Sequence, residues 1–160
     1  MAEFLIYYQP QMENEALEKR LLIDVARLDA EGEDLAGEVD IVDLDEEFVK
    51  PFGGVRYRLN AQLFGTELLV RGSLEQDFDL VCSRCGKDFD TTVHVDDFTV
   101  SVEVGEKDEY ADLTSDARDS IILALPTYPL CDEACPGIGQ EAERRPDERW
   151  GALDGLKVSK

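Results

Sequence analysis

The sequence predicts an α+β fold: a twisted antiparallel β-sheet, open or partly closed into a barrel, followed by a capped helix, a two-arm cysteine clamp of zinc-ribbon type and a short C-terminal helix. Three observations carry that expectation. Apolar and polar residues alternate over residues 55–63 and again over 68–80, the period-2 pattern of half-buried strands. Residues 114–125 (TSDARDSIILAL) have helical composition and stop at Pro126. The four cysteines form two close pairs, Cys82 with Cys85 and Cys131 with Cys135, with 45 residues between the pairs.

In chain order, residues 3–8 (EFLIYY) read as a short extended arm or edge strand bounded by Gln9 and Pro10, and residues 13–20 offer only Leu17 to a marginal helix. Residues 21–28 (LLIDVARL) are a buried-strand candidate, although so short an apolar run also suits a helix. The acidic stretch 29–37 reads as a turn, and Val39, Ile41 and the segment 42–49 (VDLDEEFV) as a second strand with a carboxylate-rich outer face. Pro51, Phe52, Gly53 and Gly54 break the pattern. Val55, Tyr57, Leu59, Ala61 and Leu63 then alternate with polar residues, Gly65 and Thr66 turn the chain, and a partner strand runs into Cys82. Past Gly86, residues 89–104 continue the alternation, so the first cysteine pair sits at a hairpin tip. Residues 105–110 are a polar connection. Thr114 or Asp112 can cap the following helix, with Asp116 near its start and Ile121, Ile122 and Leu125 gathered on one side. Residues 1–139 make one domain, and residues 140–160 a polar tail in which Asp147 caps a short helix holding Trp150, Leu153 and Leu156. A lone Trp in such a tail most simply anchors its docking.

Composition bounds the function. A chain of 160 residues with 43% hydrophobic content can bury a core. Its 16 Lys and Arg against 37 Asp and Glu give a net charge of −21. Residues 29–47 hold ten carboxylates and no Lys or Arg, and residues 75–112 hold twelve carboxylates. Such a field repels phosphate backbones and attracts basic proteins; the plainer interpretation is an ordinary solvated acidic surface. No apolar run approaches the roughly 20 residues of a membrane span, so no membrane association is expected. With no basic leader or cleavage site in the N-terminal stretch, the expected compartment is the cytoplasm.

The cysteines carry the chemistry. Zinc takes thiolates at about 2.3 Å from knuckles two to four residues apart, and both pairs satisfy that spacing. Gly86 suits a knuckle because it accepts a left-handed backbone turn. The alternatives are reduced thiols that bind nothing, and redox or disulfide chemistry; the latter suits an oxidising compartment or a βαβ setting, neither of which is apparent. The single histidine, His94, lies on a strand-like stretch and is expected to face solvent. No phosphate loop, nucleophile elbow or histidine-based nucleophile pair is present, which points away from an enzyme and from a small-molecule substrate.

The succession VCSRCG, ADLTSDARDSIILALPTYPLC, CPGIG and RPDERWGALDGLK resembles the large ribosomal RNA subunit accumulation protein family of the YceD type. The resemblance spans residues 20–157, is most specific over 81–153, and rests on Cys82, Arg84, Cys85, Asp112, Leu113, Leu125, Pro126, Cys131, Cys135, Gly137, Asp147, Arg149 and Leu153. Two segments depart from the family pattern: PGIG follows Cys135 in place of a K-G-L-C sequence, and Asp-Glu-Arg replaces Asp-Pro-Arg. The resemblance implies a non-enzymatic role in ribosome biogenesis, supporting accumulation of large-subunit ribosomal RNA. Combined with the charge, it leads to the expectation of a basic ribosomal protein or another assembly factor as partner, with a structural zinc ion on Cys82, Cys85, Cys131 and Cys135. The rival expectation is direct binding of ribosomal RNA through Arg56, Arg58 and Arg71 on the hairpin and Arg84 and Lys87 at the knuckle. A zinc or redox sensor is the third.

Overall fold

The computed structural model describes residues 19–28 and 31–138. Among the described residues, strands β1 (Leu22–Asp24), β2 (Glu33–Val39), β3 (Val49–Phe64), β4 (Glu67–Val81), β5 (Asp88–Glu103) and β6 (Tyr110–Asp112) precede one helix, α1 (Thr114–Ala124), and a 3₁₀ turn covers Val25–Arg27. The N-terminal arm and the C-terminal helix expected from the sequence lie outside the described residues.

The main sheet is antiparallel, in the order β2-β3-β4-β5. It is open, which corrects the option of a partly closed barrel. The strand β2 runs beside β3 only from the Glu33/Ala61 pair to the Val39/Val55 pair. Four strands, one of them covering less than half of its neighbour, cannot bring the two edges together. The buried face carries Val55, Leu59, Leu68, Val70, Leu74, Phe78, Leu80, Val93 and Phe98, and α1 packs across β5 and β4 with Ala117 and Ile121 buried beneath it. This is the inner face that the alternation in the sequence selects.

Three other expectations change. The turn-like stretch 29–37 contains most of β2, while residues 40–48 form a loop whose Ile41 and Val42 are buried. As an edge strand with only Val39 fully buried, β2 lacks the alternation that would have marked it. The segment 51–54 does not end a strand but forms an irregularity inside β3, where the register with β4 shifts between Phe52 and Arg56. Gly53 supplies the positive φ of 69° required there. Pro51 is tolerated because, among the described residues, that part of β3 pairs with a strand on one side only. Finally, β1 does not join the main sheet but pairs with β6, in the segment read as a polar connection and cap.

The helix start is fixed from several directions. Leu113 stands at the N-cap position with no side-chain cap bond, so Thr114 is not the cap; instead the Asp112 carboxylate accepts from the Thr114 amide (3.0 Å) and the Thr114 hydroxyl accepts from the Leu21 amide (2.9 Å), which ties the start of β1 to α1. Arg20 pairs with Asp112. At mid-sheet, β3 and β4 approach so closely at Gly72 that a Cβ there would sit 2.0 Å from the Arg58 carbonyl oxygen. Only glycine fits that position.

Candidate metal centre

The hairpin between β4 and β5 and the exit of α1 converge on the cysteines. The turn after β4 is closed by two backbone bonds, from the Cys82 amide to the Lys87 carbonyl (2.9 Å) and from the Gly86 amide to the Cys82 carbonyl (2.9 Å). Gly86 adopts a φ of 71°, the left-handed conformation expected at the knuckle. Beyond α1, the extended Leu125 and Pro126 redirect the chain, and the Ser83 amide donates to the Pro129 carbonyl (2.8 Å), pinning the second arm beside the first. In that arm the Asp132 side chain accepts from the Ala134 amide (2.7 Å), and the Cys135 amide donates to the Asp132 carbonyl (3.0 Å). Gly137 follows with a φ of 79°.

These turns bring four sulfurs together. All four Sγ atoms lie within 4.8 Å of one another. Two sulfur–sulfur contacts run between the pairs, 3.8 Å from Cys82 to Cys135 and 3.7 Å from Cys85 to Cys131. A disulfide needs sulfurs about 2.05 Å apart, and all four cysteines are free. A regular tetrahedron of thiolates about 2.3 Å from a central ion has edges of about 3.8 Å. The four side chains could therefore hold a metal ion. Cys82 and Cys135 are buried, Cys85 is half-buried and Cys131 is exposed, so the centre lies at the surface with one sulfur outward.

The sulfurs differ electrostatically. Hydrogen bonding from the Cys131 backbone, with further help from the Cys85 and Arg84 backbones, draws the Cys82 thiol down to about 6, against the opposing effect of burial. Cys131 is pushed up to about 12, first by its side-chain hydrogen bond with Cys82 and then by that with Cys135. The surrounding backbone amides thus favour the thiolate at Cys82, and the neighbouring sulfurs favour the thiol at Cys131.

The five cations nominated by the sequence do not form one patch: Arg56, Arg58 and Arg71 are neighbours on β3 and β4, and Arg84 and Lys87 lie apart from them at the knuckle. Arg56 pairs with Glu75, seven residues before Cys82 on β4 and thus roughly 23 Å along the strand from it. Its guanidinium makes a two-pronged contact with Asp77 (2.7 and 3.2 Å) and reaches Glu75 (3.5 Å). Together with the Thr92 hydroxyl, it holds the Asp77 carboxyl down to about 2. Arg58 and Arg71 lie farther still from the knuckle on the same outer face and are exposed. Arg84 is at the knuckle, but its Nη1 donates to the carbonyls of Glu133 (3.2 Å) and Cys135 (3.4 Å), linking the two cysteine arms. Lys87 is exposed beside it. His94 faces solvent near Glu75, as expected. The linking role of Arg84 was not legible in the sequence, since its partners are backbone carbonyls 49 and 51 residues away.

Fold and site together define a class: an open antiparallel sheet whose hairpin tip and helix exit meet at a cluster of four cysteines. Compared with family models, curated proteins and solved structures, the chain matches none. The resemblance to the ribosomal RNA accumulation family rests on the motifs quoted above. Among the described residues, no helix is long and apolar enough to cross a membrane.

Proposed function

We propose that the chain is a non-enzymatic ribosome-assembly factor that supports accumulation of large-subunit ribosomal RNA, with zinc in its four-cysteine centre and a basic ribosomal protein or another assembly factor as its partner. The zinc assignment is supported by the tetrahedral spacing of four thiol donors, since soft sulfur ligands in that geometry select zinc among common divalent ions. With all four positions filled by protein, the ion has no open place for water, and its work is structural: it joins residues 82–85 to residues 131–135. The assembly role is supported by the family motifs.

The observation that carries the choice of partner is charge. A net −21 opposes a polyphosphate and favours a cationic protein. The cations that would have to offset this field for direct RNA binding fall into two separate groups, Arg56, Arg58 and Arg71 on the sheet and Arg84 and Lys87 at the knuckle, and Arg56 and Arg84 are already engaged. The test is a titration of the full chain with individually purified large-subunit ribosomal proteins and with naked ribosomal RNA at about 0.15 M salt, where the Debye length is about 8 Å. Binding to one or more of the basic proteins, with little binding to RNA, is the expected result. Equal or tighter binding to RNA would overturn the proposed partner.

A further inference from the structure

Next to the cysteine centre, an apolar groove of about 350 Å³ runs between the loop entering β3 and the chain leaving α1. It is lined by Phe48 and Val49 from the loop and β3, by Leu80 and Cys82 from the knuckle strand, and by Leu125 and Pro126 from the helix exit. Its walls are fixed before anything binds. The Val81 amide donates to the Phe48 carbonyl (3.2 Å) and the Ser83 amide to the Pro129 carbonyl (2.8 Å), so each wall is hydrogen-bonded to the knuckle strand. A preformed site avoids the ordering cost that weakens association. Aromatic side chains stand out beside it: Phe48, in the lining, is 59% exposed, and Tyr128, flanked by the lining residues Thr127 and Pro129 without being part of the lining, is 78% exposed. Large exposed apolar groups gathered around a groove mark an interaction surface.

The surroundings are acidic. Exposed Asp45, Glu46 and Glu47 lead directly into Phe48, exposed Asp88 is paired opposite Val81, and exposed Asp132 and Glu133 follow the far wall. The nearby cations are Lys50, Lys87 and Arg84, the last directed at the Glu133 and Cys135 carbonyls. We infer that this groove seats a basic segment of a protein partner, which inserts an aliphatic or aromatic side chain between Phe48 and Pro126 while its Lys and Arg residues meet the acidic rim. The chain's own residues 140–160 are the competing occupant, but they carry five acids against five bases and lack the charge that the rim complements.

The inference rests on the proposed partner class and is tested with the full chain. The probe is the purified ribosomal protein that binds tightest in the titration above, with polylysine as a charge-only control. Phe48→Ala and Tyr128→Ala are each expected to weaken binding of the ribosomal protein about tenfold, equivalent to about 1.4 kcal/mol. Phe64→Ala removes an equally exposed aromatic, also 59%, from the opposite end of the sheet, and is expected to leave binding unchanged. Polylysine should not distinguish the variants. Tight binding that survives both groove substitutions overturns the groove and leaves the proposed function standing; failure of every basic protein to bind overturns both. Trp150, the only tryptophan, reports on the tail. A shift in its emission in free Phe48→Ala or Tyr128→Ala protein would assign the groove to the chain's own tail and overturn the inference, whereas unchanged emission supports an external partner.

Discussion

The two ends of the long β3, β4 and β5 strands solve the same problem by different means. At one end, residues 64–67 reverse the chain with Gly65 at a φ of 65°. At the other, residues 82–87 reverse it with Gly86 at 71°. In both cases a Cβ on the glycine would meet nothing within 4 Å, so the two turns have the same local requirement. Their surroundings differ. The first turn is completed by its own ladder and the Val104 amide, which donates to the Thr66 carbonyl (2.7 Å). The second is tied by sulfur, by the Arg84 guanidinium and by the Ser83 amide to a segment nearly fifty residues later. A hairpin needs no ion to form; an ion is useful where a hairpin must hold a distant, poorly structured segment that buries little apolar surface of its own. Residues 126–138 are such a segment, with Cys135 their one fully buried side chain.

Substitutions sharpen the contrast. The largest effect is expected from Cys82→Ser or Cys135→Ser, which should abolish metal binding and lower unfolding free energy by roughly 4 kcal/mol, as loss of a metal centre typically does. Metal analysis together with urea denaturation reads both. Next comes Gly72→Ala in mid-sheet, where the added methyl would collide with the Arg58 carbonyl; a loss of about 3 kcal/mol is expected, with metal stoichiometry unchanged in the folded protein. Gly65→Ala and Gly86→Ala form a matched pair. Each should cost about 1.5 kcal/mol from the left-handed backbone, but only Gly86→Ala should weaken zinc affinity in a chelator competition. Equal affinities in the two variants would show that the knuckle turn does not aim its amides at the centre.

The smallest effect concerns acid. Because Arg56 and Thr92 depress the Asp77 carboxyl to about 2, its contribution is present above the unfolded value of about 3.9 and is lost as the pH falls through about 2. Screening at the partly exposed guanidinium limits that contribution to about 1 kcal/mol. Wild-type and Asp77→Asn stabilities should therefore differ by about this amount near pH 7 and converge by about pH 2. Chelation should leave the difference unchanged, since Asp77 lies at mid-sheet rather than at the sulfur end.

What could be read from the sequence follows from where the signal resides. The alternation over residues 55–63, 68–80 and 89–104 exposed the central strands because one face of each is buried and the other is wet. The cysteine spacing and Gly86 exposed the knuckle because ligand reach and backbone handedness are local constraints. β2 escaped because an edge strand with a single buried residue has no apolar period. β1 was legible within the apolar run 21–28, but β6 and its pairing with β1 escaped because a three-residue strand is specified by the register of a partner far along the chain. The separation of the five cations into two groups follows from strand length: Arg56, Arg58 and Arg71 stay neighbours on β3 and β4, while at about 3.3 Å per residue the strand carries Arg84 and Lys87 away from them.

The most direct measurement is the zinc content of the full chain, purified without chelator and weighed intact under non-denaturing conditions. One zinc ion per chain is expected, lost in Cys82→Ser and equally in Cys135→Ser, because both pairs share a single ion. A chain that carries no zinc, or that keeps it when either pair alone is intact, would contradict the joining of hairpin tip and helix exit through one metal.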